Sequence, residues 1–163
     1  MTTFILFTAL IISFFTDVKD RRIFNIITFP AMIIGILIHT MTNGLDGLVF
    51  SMMGLGTGFA LLIIPYALKG MAAGDVKLLM AIGALKGTAF VIGSFLYIAI
   101  AGGIIALAIL IIKKELISSL ERILFSARIK TLDTLNKDEL HHAFPYGVAI
   151  VLGTIGYYGV NVF

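Results

Sequence analysis

Two aspartates, Asp17 and Asp75, are the residues of this 163-residue chain whose type and setting fit catalytic chemistry best. Asp17 closes the first apolar run, and Asp75 opens a later one just behind the small residues Ala72-Ala73-Gly74. A charged group in an apolar helix is costly, roughly 2.5–3.5 kcal/mol at the helix centre and less near an interface. If the fold brings the two carboxyls together they share one proton, because neighbouring like charges cannot both ionise. The ionised member then acts as general base on a water while the protonated one polarises a carbonyl, which is the chemistry of aspartic peptide-bond hydrolysis. The small residues before Asp75 suit that use, since they let a substrate backbone approach the carboxylate. Each aspartate also has a plainer reading. Asp17, beside Lys19, Arg21 and Arg22, can be half of an interfacial ion pair, and Asp75 can cap a helix N-terminus.

Other candidates are poorer. His141 and His142 are adjacent, so they point apart on a helix, and no third ligand accompanies them; no metal site is expected. Ser13 and Ser51 have no base placed near them by sequence. Asp20 and Asp46 read as solvated loop carboxylates. There is no cysteine, which removes disulfides, thiolate metal sites and a cysteine nucleophile. The basic residues lie between apolar runs without interleaved aromatics, so nucleic-acid binding is not expected.

The elements that must position the aspartates are membrane helices. The chain is 60% hydrophobic and 13% charged with a net charge of +3, and its mean hydropathy is +1.09. Soluble domains run near 45–50% apolar and about 25% charged. Long continuous apolar runs, not ten-residue alternations, select helices over a barrel. The expected fold is all-α and polytopic, with about six transmembrane helices in one domain spanning residues 1–163. Residues 1–16 form the first span, followed by a polar hinge from Asp17 to Arg22. A second span covers 23–40, where Pro30 predicts a kink or a delayed start. Asn43-Gly44 marks a turn within 41–46, and a third span covers 47–68. Its Gly54, Gly56 and Gly58 favour close helix approach. Residues 75–85 are too short to cross at full length, about 16 Å. They fit a short span, a re-entrant helix, or the first part of a longer helix broken at Gly87. Residues 88–112 and 143–163 are further spans, and 113–142 reads as an amphipathic segment on the membrane surface.

Charge decides the fourth segment. If it crosses, Lys19, Arg21, Arg22, Lys69, Lys77, Lys113, Lys114, Arg122, Arg128, Lys130 and Lys137 share one side and Lys86 alone is opposite. If it does not, the last six of these change sides and the asymmetry vanishes. The positive-inside rule therefore favours crossing. Both aspartates then lie at the cytoplasmic face of the inner membrane, with both termini outside.

Three motifs in this order resemble the type IV prepilin peptidase family, the A24 aspartic endopeptidases. They are D-V-K-D-R-R-I-F-N from Asp17 to Asn25, A-A-G-D-V-K-L-L from Ala72 to Leu79, and P-Y-G-V-A from Pro145 to Ala149. The resemblance implies a GxGD-type aspartic protease arrangement in which Asp17 and Asp75 are catalytic. Ala72, Ala73, Gly74, Lys77, Arg22, Asn25, Pro145 and Gly147 then bind substrate or support the site. Two positions depart from the family pattern: Ala72 replaces the first glycine of G-x-G-D, and Phe24 replaces a proline. A methyl at Ala72 is tolerable unless that position needs positive φ. Larger members carry a paired C-x-x-C domain that goes with N-methylation. This cysteine-free chain looks like the short, peptidase-only branch that serves tight-adherence pili or archaeal preflagellins.

The implied substrate is a prepilin-like protein with a short basic leader and an apolar helix, cut after a glycine on the cytoplasmic side. The bilayer is the other partner, and no cofactor is implied. Asp20, Asp138 and Glu139 are acidic groups on the leader's side. Two other readings remain beside hydrolysis. One is a small transporter or proton-relay protein using Asp17 and Asp75, which would place the carboxylates nearer mid-membrane. The other is a non-catalytic assembly factor.

Overall fold

The computed structural model describes residues 1–68, 70–112 and 146–162, and helix is the only regular secondary structure among them. Four continuous helices follow in order: α1 Thr2–Asp20, α2 Asn25–Ala67, α3 Ala73–Ile112 and α4 Tyr146–Val162. The first three are long and apolar enough to cross a membrane. Large apolar side chains such as Phe4, Phe15, Ile26, Leu96 and Ile104 are exposed. A surface facing lipid carries such side chains without cost.

Two of these helices are double. Inside α2, Gly44 has φ 60° and ψ −134°, and inside α3, Gly87 has φ 80° and ψ 175°. Both conformations are open to glycine and strained for other residues, so each helix reverses at its glycine. The limbs are residues 25–43 and 45–67 of α2, and 73–86 and 88–112 of α3.

Side-chain contacts give the direction of each stretch. Lys86, just before the Gly87 break, donates to Thr3 Oγ1 and lies 5.2 Å over the Tyr158 ring. The start of α1, the end of the first α3 limb and the end of α4 therefore meet at one end of the molecule. The end of α1 and the starts of α2, α3 and α4 meet at the other. Lys77 there donates to Asn25 Oδ1 at 2.9 Å, and Val148 N–H donates to Asp17 Oδ2 at 3.0 Å. The second α3 limb returns along α4, with Gly93 against Tyr157, Ile98 against Gly153 and Gly102 near Ala149.

The core is the contact between α2 and the first α3 limb. Leu62, Leu78, Leu79, Ile82, Ala84 and Leu85 are almost wholly buried. Gly54 and Gly83 bring their backbones together, since a Cβ on either would overlap the other's carbonyl. Gly58 faces the Leu79 carbonyl, and its Cβ would lie at 2.6 Å. Without water to solvate backbone groups, a helix break in this setting needs side-chain partners. Ser51 Oγ donates to Ala84 O at 2.9 Å, and His39 Nε2 lies 3.0 Å from Leu85 O. A carbonyl only accepts, so Nε2 is the protonated nitrogen of His39.

Several boundaries differ from the sequence expectation. α1 runs on to Asp20, so Asp17 lies in its last turn and not in a hinge. Arg21, at φ 51° and ψ 36°, closes the helix, and its N–H donates to Asp17 O at 2.9 Å. α2 begins at Asn25, before Pro30, and its φ/ψ values stay helical through the proline. A proline in the second turn removes a single hydrogen bond there. The link expected over 41–46 shrinks to Gly44. Residues 73–112 take the last of the three forms considered, a longer helix broken at Gly87. The amphipathic segment expected over 113–142, with Lys69, His141, His142 and Pro145, lies outside the described residues.

The glycine contact makes a prediction. Gly54→Ala should lower the thermal stability of the detergent-solubilised protein by about 1–3 kcal/mol, measured by unfolding. Gly56→Ala, whose Cβ meets nothing within 4 Å, should leave it unchanged or raise it.

Candidate active site

Asp75 is the third residue of α3. Its Oδ2 accepts from Ala72 N–H at 3.0 Å, while its own N–H donates to Ala72 O at 3.1 Å. This is the acidic half of a capping box, in which a side chain at the third position reaches back to the N-cap amide. Asp75 thus caps its helix from inside and does not occupy the N-cap itself. Ala72 is not among the residues with positive φ; among the described non-glycine residues only Arg21 is. A methyl group at Ala72 therefore introduces no backbone strain.

Asp17 does a similar job in trans. Its Oδ2 accepts from Val148 N–H at 3.0 Å, and the Gly147 amide also faces the carboxylate. These are the second and third residues of α4, whose amides have no partner inside the helix. The N-terminal end of the α4 dipole favours a negative group at that point. Gly147 makes the approach possible, because a Cβ there would lie 2.7 Å from Asp17 Oδ2 and 3.0 Å from Ile23 Cδ1.

The two carboxyls are 5% and 4% exposed, respectively. Both line one small cavity at this end of the bundle, together with Arg21, Arg22, Ile23, Gly70, Met71, Ala72, Gly74 and Tyr146. The cavity volume is about 40 Å³, and a water needs roughly 10–15 Å³ of such space. About three waters fit by that measure, so the cavity has room for water beside the carboxyls. Backbone donors hold one oxygen of each carboxyl and so fix its orientation without adding a countercharge.

The residues singled out from sequence separate into two groups. Asp17, Asp75, Ala72, Gly74 and Arg22 line the cavity, and Gly147 packs on Asp17. Ala73, Asn25 and Lys77 do not line it. Lys77 binds Asn25 on the other side of α3, beside Phe29. Pro145 lies outside the described residues. Arg21, Ile23, Met71, Tyr146 and the Val148 amide were not singled out. Of these, Arg21 and Ile23 stand inside the D-V-K-D-R-R-I-F-N segment and Tyr146 and Val148 inside the P-Y-G-V-A segment, so all four carried a signal; Met71 carried none. Ile23 wedges between Gly74 and Gly147, and a Cβ on Gly74 would lie 3.0 Å from Ile23 Cβ. Among the described residues, no three His, Cys, Asp or Glu side chains are grouped to hold a metal ion.

No curated protein and no solved structure matches the chain. The sequence model of the type IV leader peptidase family matches residues 4–107. That span holds both carboxylates and the helices that carry them, and it stops short of the α4 amides that receive Asp17. With nearly two thirds of its length matched, the chain belongs to the type IV leader peptidase family.

Proposed function

We infer that this protein is a membrane-embedded aspartic endopeptidase that removes the leader of prepilin-like precursors. The observation that carries the reading is the cavity shared by Asp17 and Asp75, in a chain of a leader peptidase family. One aspartate, ionised, takes a proton from a cavity water as that water attacks the scissile carbonyl. The other, protonated, donates to the developing oxyanion. As the C–N bond breaks, the proton taken from water passes to the leaving amine and one hydroxyl of the diol returns its proton to the second aspartate, so the dyad again holds one proton. No cofactor is needed for these steps.

Six helical stretches running alternately between the two ends support six crossings of one domain. Lys19, Arg21, Arg22 and Lys77 lie at the dyad end and Lys86 at the other, so the positive-inside rule supports a cytoplasmic dyad. Family membership and the position of both carboxyls at helix ends favour hydrolysis over a proton relay.

Asp17→Asn and Asp75→Asn should each lower cleavage of a co-expressed prepilin by at least about 100-fold, read from the ratio of precursor to mature pilin. Processing by either variant near the wild-type rate would refute the dyad. The pH profile of kcat/KM should be bell-shaped. On the acid side both carboxyls are protonated and the base is lost; on the alkaline side both are ionised and the acid is lost. A profile with a single limb would count against a shared proton. Gly147→Ala should displace the Asp17 carboxylate and cut activity at least about tenfold. Gly159→Ala, whose Cβ meets nothing within 4 Å, should be silent in the same assay.

A further inference from the structure

A second concavity lies across the N-terminal turn of α3 from the dyad cavity. It measures about 290 Å³, and three helical stretches wall it: Phe29 from the first α2 limb, Phe59 and Tyr66 from the second, and Ala73, Lys77 and Met80 from α3. Phe29, Phe59 and Tyr66 are exposed. Lys77 is the one charged residue of the lining, and it meets two neutral groups, Asn25 Oδ1 and the face of Phe29.

A groove at membrane depth is filled by lipid by default, so its apolar character selects no ligand. Continuity with the dyad does. Residues of a single turn divide between the two hollows. Ala73, Val76 and Lys77 line the groove, while Ala72, Gly74 and Asp75 line the cavity. What separates them is a sill of three small residues, with Ala72 and Ala73 exposed. An extended backbone can cross that sill without meeting a side chain longer than a methyl. The charge of Lys77 adds a direction. In a poorly hydrated groove it repels a second cation more strongly than in water, so a basic leader is kept out and an uncharged apolar segment is admitted.

We propose that this groove receives the start of the precursor's apolar helix, with the chain crossing residues 72–74 to lay its scissile bond in the Asp17–Asp75 cavity. The proposal rests on the leader-peptidase reading. Its consequence is that substrate approaches from the α2–α3 side of the bundle and not from the second α3 limb.

Photocrosslinking in membranes tests it. Benzoylphenylalanine would replace Phe59, Met80 or, as a lipid-facing control, Leu96, each in the Asp75→Asn background with co-expressed precursor. Adducts to the precursor's apolar segment are expected at Phe59 and Met80 and not at Leu96. Adducts to lipid alone, or equal adducts at all three positions, would overturn the proposal. In a second arm, Phe59→Ala combined with Met80→Ala should raise KM for full-length precursor several-fold. Cleavage of a soluble peptide with the leader and cleavage site but no apolar segment should not change. Equal losses on both substrates would count against the groove. Wild-type cleavage without groove adducts defeats only the docking proposal. Groove adducts with no wild-type cleavage defeat the peptidase reading.

Discussion

The first amides of a helix have no partner within it, and at the level of a bilayer there is little water to replace one. The arrangement described above answers that constraint with acidic side chains. Asp75 takes the Ala72 amide at the start of its own helix, and Asp17 takes the Val148 amide at the start of a helix 131 residues further on. The second bond is the stronger determinant of the fold, because it joins the first helix to the last. Breaking it would leave the part-buried Val148 amide without its acceptor, and a lost partner of this kind costs about 1–3 kcal/mol. Capping the helices and placing the two carboxyls are therefore one arrangement. The amides that need acceptors hold the carboxyls in place, and the cavity between them is the space left over.

The same accounting explains the far end. Gly87 breaks α3 where Ser51 and His39 can take carbonyls of the preceding turn. Gly54 and Gly83 let the two backbones come close enough for those side chains to reach. Asp75 is thus carried by a limb locked against α2 along much of its length. Asp17 is placed by different means: a helix with one buried face of Leu6, Ala9, Leu10 and Ser13, closed by Arg21 and joined to α2 through only a few residues. Two separate supports meet at the cavity.

Much of this was legible in the residues. Apolar run lengths disclosed the helices, Asn43-Gly44 and Gly87 marked the reversals, and the distribution of lysine and arginine set the two aspartates at one end. The small residues before Asp75 pointed to an open approach. Other features were hidden for physical reasons. The partner of Asp17 is a backbone amide, which has no letter in the sequence. Ile23 stands in the first motif as one apolar letter, and its wedge between Gly74 and Gly147 is visible only in the fold. Pro30 misled because a proline is costly in the middle of a helix and tolerable near its start. Lys77 and Asn25 were assigned to the site by motif, and neither lines the cavity: Lys77 is on the wall of the neighbouring groove, where it binds Asn25.

The reversals at Gly44 and Gly87 have one more consequence. Each hairpin at that end turns within about one residue, so among the described residues that pole presents two blunt helical tips and almost no loop. The links from α1 to α2 and from α2 to α3 lie at the opposite pole, as do the end of α3 and the start of α4. Among the described residues the molecule is therefore one-sided: the short links between helices, the carboxyl cavity and the neighbouring groove all stand at the pole away from the two tips.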